Sequence, residues 1–229
     1  MKRLFVFLIL SVLILSGMSM AGAYMIPGVY STGVNDVGAL LPFLAPDPHY
    51  SLSSSISGNP PATATDNHPN WVPETSSSQW ITPQPFASSS GSPKDAPPLS
   101  GSEALAYVYS LTFDLTGLDA STAEIQGKWA TDNDSSIKLN NVDTGITKGI
   151  TGFAALTDFS ITAGFVAGIN TLEFIVWNQP QATGNPTGLH VNIIGATAEA
   201  ASVPEPAVMV LLGSGLAVLA GVRRKFRKR

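Results

Sequence analysis

The clearest alternation of apolar and polar positions runs from Leu105 to Asp119, where Leu105, Tyr107, Tyr109, Leu111, Phe113 and Leu115 recur at every second residue. A period of two puts these side chains on one face of an extended segment and predicts a half-buried strand. Further strands are predicted over 123–130, 136–139, 159–161, 171–177 and 189–193, each with branched or aromatic residues and each bounded by Gly, Pro or Asn. Asn140-Asn141 tolerates positive φ and predicts a hairpin turn after the third of these. A short strand at Ser51-Leu52-Ser53 follows the turn at Asp47-Pro48. No amphipathic helix of useful length occurs between the two ends, so the expected fold is all-β, an antiparallel sandwich.

The pattern changes at both ends and in one interior stretch. Lys2 and Arg3 precede an apolar run from Leu4 to Leu15, and Ala21-Gly22-Ala23 has small residues at its ends. That layout predicts a signal helix cut after Ala23, or otherwise an uncleaved anchor. Near the other end, Pro204-Glu205-Pro206 leads into an apolar run over 207–222 and a basic stretch over 223–229. Sixteen helical residues span about 24 Å, short of the roughly 20 residues of an ordinary crossing. Snorkelling of the basic side chains covers the deficit. Both basic clusters stay inside, and the segment between them is exported. Gly213, Ala217 and Gly221 share one helix face, which suits close approach of a second membrane helix but is also common in such helices. Residues 54–102 are rich in Ser, Pro, Thr and Asn, and two islands, Trp71-Val72 and Trp80-Ile81, are expected to dock as edge strands. The tract 88–98 reads as an exposed mobile loop. The expected organisation is a signal peptide (1–23), a sandwich (24–196) with an insertion over about 54–102, a linker (197–203) and a C-terminal signal (204–229).

Charge and cysteine content narrow the chemistry. The whole chain carries −4, but residues 24–203 hold four basic against fifteen acidic residues, a net −11. Nucleic-acid binding is thereby excluded, because phosphate contacts need a basic footprint. The chain has no cysteine, so an exported domain must be held by its core, and thiol catalysis and Cys-type zinc sites are ruled out.

The triplet, apolar run and basic cluster in that order resemble the PEP-CTERM sorting signal of Gram-negative bacteria. The resemblance implies recognition of Pro204, Glu205 and Pro206 by an exosortase, a membrane protease. It also implies cleavage near the triplet and delivery to the envelope or extracellular matrix, the chain being membrane-anchored only until it is processed. A plain C-terminal anchor is the alternative. A second resemblance rests on Gly127-Lys128-Trp129-Ala130-Thr131-Asp132-Asn133, Ile137-Lys138-Leu139-Asn140, the run from Phe165 to Leu172, and Gly188-Leu189-His190-Val191. These look like a galactose-binding-domain-like jelly roll. The resemblance implies a jelly-roll β-sandwich of a kind that often accompanies glycoside hydrolases and sometimes binds carbohydrate. Gly168 and Asn170 form its tight turn, and Leu172 opens the next core strand.

Candidate sites follow from residue chemistry. Trp129 and Trp177 stand at predicted strand ends beside Asp132, Asn133 and Asn178, so a stacked sugar ring with polar partners is one reading and core packing the other. Asp132-Asn133-Asp134 supplies oxygen donors in a short loop. Asp132 and Asp134 are candidate ligands for a structural calcium, against the reading of a solvated turn. The loop lacks the Gly and distal Glu of an EF-hand. His49, His68 and His190 have no metal spacing and read as structural or exposed. No nucleophile elbow outside the membrane run, no zincin motif and no phosphate-binding Gly loop occurs. No other cofactor is expected. Asp114, Asp119, Asp132 and Glu173 are the carboxylates a hydrolase would draw on. The leading expectation is a non-catalytic exported module that contacts extracellular polysaccharide. A structural or adhesive surface protein is the second and a polysaccharide hydrolase the third.

Overall fold

The computed structural model describes residues 22–54, 61–65, 68–83, 106–179 and 186–201. The signal helix, the C-terminal apolar run, the basic tail and the tract 88–98 lie outside the described residues. Among the described residues, no helix is long and apolar enough to cross a membrane.

Eleven strands are described. They are β1 (Ala23–Met25), β2 (Tyr50–Ser54), β3 (Thr63–Ala64), β4 (Ile81–Thr82), β5 (Tyr107–Asp114), β6 (Glu124–Asp132), β7 (Asp134–Leu139), β8 (Val142–Lys148), β9 (Thr157–Ile161), β10 (Ile169–Trp177) and β11 (Gly188–Glu199). One sheet has the order β3-β4-β11-β6-β9, with β1 also paired to β11; the other has the order β2-β5-β10-β7-β8. Every pairing is antiparallel. The expected all-β sandwich is therefore the fold.

The alternation in β5 does what its period dictates. Tyr107, Tyr109, Leu111 and Phe113 are buried, while Thr112 is exposed and Val108, Ser110 and Asp114 are half-buried. Inward residues of β6, β7, β10 and β11 meet them in one core, with Trp129 and Phe174 at 5.8 Å between ring centroids and Phe159 edge-on to Phe174 at 6.1 Å. Burial of these large rings supplies most of the drive to close the two sheets.

Turn chemistry matches the sequence reading at two places. Asn140 and Asn141 both adopt positive φ, 52° and 64°, and connect β7 to β8. Gly168 has φ 80°, and the Asn170 amide bonds the Val166 and Gly168 carbonyls, which closes the turn before β10.

Three differences from the sequence reading have physical causes. β8 was not expected; as an edge strand with Gly145 at its centre and mostly exposed or half-buried residues, it shows no apolar alternation. β11 runs to Glu199, past a bulge between Ile193 and Gly195, and so occupies the first residues of the expected linker. Its small residues after Ile194 carry little strand signal of their own, and β6 and β1 hold them in register. Of the two islands, Ile81 joins β4 as expected, whereas Trp71-Val72 docks as a loop and pairs no strand.

Candidate functional site

One end of the sandwich gathers the residues singled out in the sequence. β6 ends at Asp132 opposite Gly188 of β11, and β7 starts at Asp134 opposite Trp177 of β10. The Asn133 backbone N–H donates to the Trp177 carbonyl at 3.1 Å, and its side chain accepts from Gln179 N–H at 2.8 Å and donates to the Ile150 carbonyl at 3.2 Å. The Thr187 hydroxyl donates to the Asp132 carbonyl at 2.6 Å. Asp132, Asn133, Asp134, Trp177 and Asn178 thus come together, and Trp129 does not join them.

The burial of this group corrects the expected stacking platform. Trp129 is 1 % exposed and faces inward against Phe174. Trp177 is 7 % exposed and packs with Ala106 and Ile175 on the opposite face of its sheet. Asp132, Asn133 and Asn178 are buried as well. Neither ring presents a face to a pyranose, because the sandwich uses both as packing.

The two candidate calcium ligands turn to different neighbours. Asp132 Oδ2 accepts from the Trp71 indole N–H at 2.8 Å, and burial pushes its carboxyl up to about 7 against the opposing pull of that bond. Asp134 turns to the Gln179 side chain instead. Among the described residues, no three His, Asp or Glu side chains gather in a metal-holding group. The two carboxylates therefore face different side-chain partners, the Trp71 indole and the Gln179 amide.

What Asp132 does is fasten a cap. Trp71 and Trp80 lie 4.2 Å apart over Ala130, on the outer face of the β6–β11 sheet, with Val72, Phe153 and Leu156 around them. The Trp80 indole donates to the Val72 carbonyl at 2.9 Å. His190, fully buried beneath Trp80, shares a 2.8 Å hydrogen bond with the Ser78 hydroxyl, and burial lowers its pKa to about 4. The ring is therefore neutral at ordinary pH.

A different region is open to solvent. A cleft of about 730 Å³ lies beside the edge strand β2, lined by Tyr30, Asp47, His49, Ser51, Ser110 and Thr112 among others. Tyr30 stacks on His49 with centroids 3.7 Å apart and planes 9° from parallel. The Tyr50 hydroxyl donates to the Tyr30 carbonyl at 2.8 Å and fixes the backbone beneath that ring. Asp47 holds the turn: its carboxylate accepts from the backbone N–H groups of Gly33 (2.6 Å), His49 (2.8 Å) and Tyr50 (3.1 Å). Burial raises its pKa, and those three bonds oppose the rise. On the far side His49 Nε2 faces Asp36 at 3.7 Å. Sequence reasoning missed this cleft. Tyr30, His49 and Thr112 are far apart along the chain, and the only local sign was the Asp-Pro turn, which predicts a bend and no ligand.

Two further candidate carboxylates, Asp114 and Asp119, have local duties. Asp114 accepts from both the N–H and hydroxyl of Thr116, and Asp119 does the same with Ser121; these bonds lower both pKa values.

Comparison with known proteins places the C-terminal signal. Residues 202–225 match the PEP-CTERM protein-sorting motif. The chain carries that motif, and with it the mark of an exported protein sorted to the cell envelope. No curated protein matches the chain. Solved structures that resemble it include CBM35 from Paenibacillus barcinonensis, at 11 % identity and TM-score 0.31, over 68 % of this chain and 94 % of that one. A family 35 carbohydrate binding module from an environmental isolate gives 11 % identity and TM-score 0.30 over 62 % and 89 %. A β-glucosidase from Kluyveromyces marxianus in complex with glucose gives 12 % identity and TM-score 0.34 over 77 % of this chain and 19 % of that one. At these scores the likenesses are loose, and the fold stands on the sheet order and register given above.

Proposed function

We propose that this chain is a non-catalytic exported module of a Gram-negative envelope or extracellular matrix that contacts polysaccharide through the cleft beside β2. The leader is removed after Ala23, the sandwich folds outside the inner membrane, and an exosortase-type protease cuts near Pro204-Glu205-Pro206, so membrane anchoring is transient. The observation that carries the saccharide reading is the cleft itself. Tyr30, propped flat on His49, supplies an apolar ring face, and the hydroxyls of Ser51, Ser110 and Thr112 border it. Ring stacking plus hydroxyl partners is the chemistry that pyranoses need. The local roles of Asp114, Asp119, Asp132 and Asp134 support a module without catalysis.

The test is binding of the purified sandwich to a glycan array and to polysaccharide extracted from the host matrix. Tyr30→Ala is expected to weaken binding by about tenfold, since losing the apolar ring that covers a sugar face removes on the order of 1–2 kcal/mol of buried-area free energy. Trp177→Phe leaves it unchanged. No binding to any matrix polysaccharide sinks the saccharide reading.

A structural or adhesive surface protein is the second reading, and the burial of all four tryptophans favours it. It predicts association with cells or with other copies of the chain, insensitive to Tyr30→Ala.

A further inference from the structure

The fold brings both targeting segments out at one end. β1 starts at Ala23 opposite Glu199, where β11 stops, so the chain before Ala23 and the chain after Ala201 leave side by side. The β5–β6 connection closes over the same place. Asp119 N–H donates to the Glu199 carbonyl at 2.8 Å, Ala201 N–H donates to the Gly117 carbonyl at 2.9 Å, and Leu118 sits opposite Ala200 between these bonds. This clasp holds the chain as far as Ala201, and Pro204 is only three residues further on. Three extended residues reach about 10 Å. Along the chain, the sorting triplet therefore begins three residues after the last clasped position.

We propose that the clasp of Gly117–Asp119 on Glu199–Ala201 is the surface the processing protease meets, and that it gates the cut. The proposal rests on the sorting reading above. A protease that reads an extended peptide engages backbone N–H and C=O groups on both sides of the scissile bond, as in strand addition to a sheet edge. Upstream of a cut near the triplet, that peptide runs back through Val203 and Ser202 to Ala201 and Ala200. The Ala201 N–H is already committed to Gly117 and the Glu199 carbonyl to Asp119, so this edge must peel away before the protease can hold it. The clasp is built to open. Ala200 and Ala201 bring no large side chain, and the backbone bonds that hold them are individually modest. Local opening of such a terminal segment costs far less than unfolding the domain.

The test follows loss of a C-terminal tag from the full chain in its host by pulse-chase. Leu118 and Ala200 are a non-hydrogen-bonded antiparallel pair, whose Cα atoms stand about 4.5 Å apart, within disulfide reach. The native chain has no cysteine, so Leu118→Cys with Ala200→Cys gives one possible bridge. The bridged variant is expected to lose its tag at least about tenfold more slowly, with wild-type speed restored by a permeant reductant. Six Gly/Ser residues inserted after Ser202 are expected to speed the cut by about tenfold and to cancel the effect of the bridge. Equal rates in the wild type, the bridged chain and the chain with the insertion overturn the clasp while leaving the sorting reading intact. Retention of the tag in the wild type, as in Glu205→Ala, removes both.

Discussion

Between the sheets, Tyr107, Tyr109, Phe113, Trp129 and Phe174 pack with aliphatic residues in one core. Outside the six-stranded sheet, Trp71 and Trp80 pack on Ala130 with Asp132 and His190 buried beside them. Both regions bury tryptophan almost completely, but by different physics. The first is two alternating surfaces closing on each other. The second is a loop that reaches the sheet across more than fifty residues of sequence and is pinned by polar bonds, Trp71 to Asp132 and Ser78 to His190. Pure apolar burial tolerates repacking, whereas a buried polar group is costly once its partner is removed. The cap is therefore expected to be the region whose stability answers to pH.

The largest effect should come from breaking the inter-sheet core. Phe174 touches the rings of Tyr50, Trp129 and Phe159. Phe174→Ala is expected to cost about 3–5 kcal/mol in urea unfolding, at every pH alike. A pH-dependent cost would mean that core and cap are not separate.

Acidity should sharpen the comparison next. The Asp132 carboxyl has a folded pKa of about 7, above its unfolded value, so its contribution is full below the ordinary carboxylate range and is lost as pH rises through 7. His190 has a folded pKa of about 4, below its unfolded value, so its contribution is full above the ordinary imidazole range and is lost as pH falls toward 4. Each group has a limiting slope of about 1.4 kcal/mol per pH unit, and the two oppose each other in the window they share. Wild-type stability is expected to be nearly flat between about pH 4 and 6.5. Asp132→Asn should make stability rise with pH across that window, and His190→Gln should make it fall. Urea midpoints at four pH values decide this, and parallel wild-type and mutant curves would refute the assignment.

Cutting the pin itself comes third. Trp71→Phe keeps most of the packing but removes the indole donor to Asp132, for an expected loss of about 1–3 kcal/mol. Amide hydrogen exchange should then quicken around Val72 and Trp80 before it changes in β5 or β10.

The smallest effect lies where the same outer sheet face has no cap. Lys128 and Asp158 form an exposed pair at 3.1 Å there. Lys128→Ala is expected to change stability by less than about 1 kcal/mol, and less still in high salt. A larger loss would show that the cap extends over Lys128.

The strands of the core were legible because period two survives wherever one face is buried, as in β5, β6 and β10. β8 and the end of β11 were not, since an edge strand and a run of small residues draw their register from neighbours. The candidate site was half legible. Asp132, Asn133, Trp177 and Asn178 do meet, because strand ends in a sandwich converge. That they meet buried depends on Trp71 and Thr187 arriving from elsewhere in the chain.

Composition and pattern by themselves determined the C-terminal sorting motif, the acidic cysteine-free domain and its all-β sandwich, since charge, apolar length and alternation are local properties. The tertiary structure alone decided that all four tryptophans are packing residues, that the open aromatic cleft is Tyr30 on His49, and that a clasp of Gly117–Asp119 closes on Glu199–Ala201. Each of those depends on contacts between segments far apart in sequence, and no local pattern encodes which distant side chain will cover which.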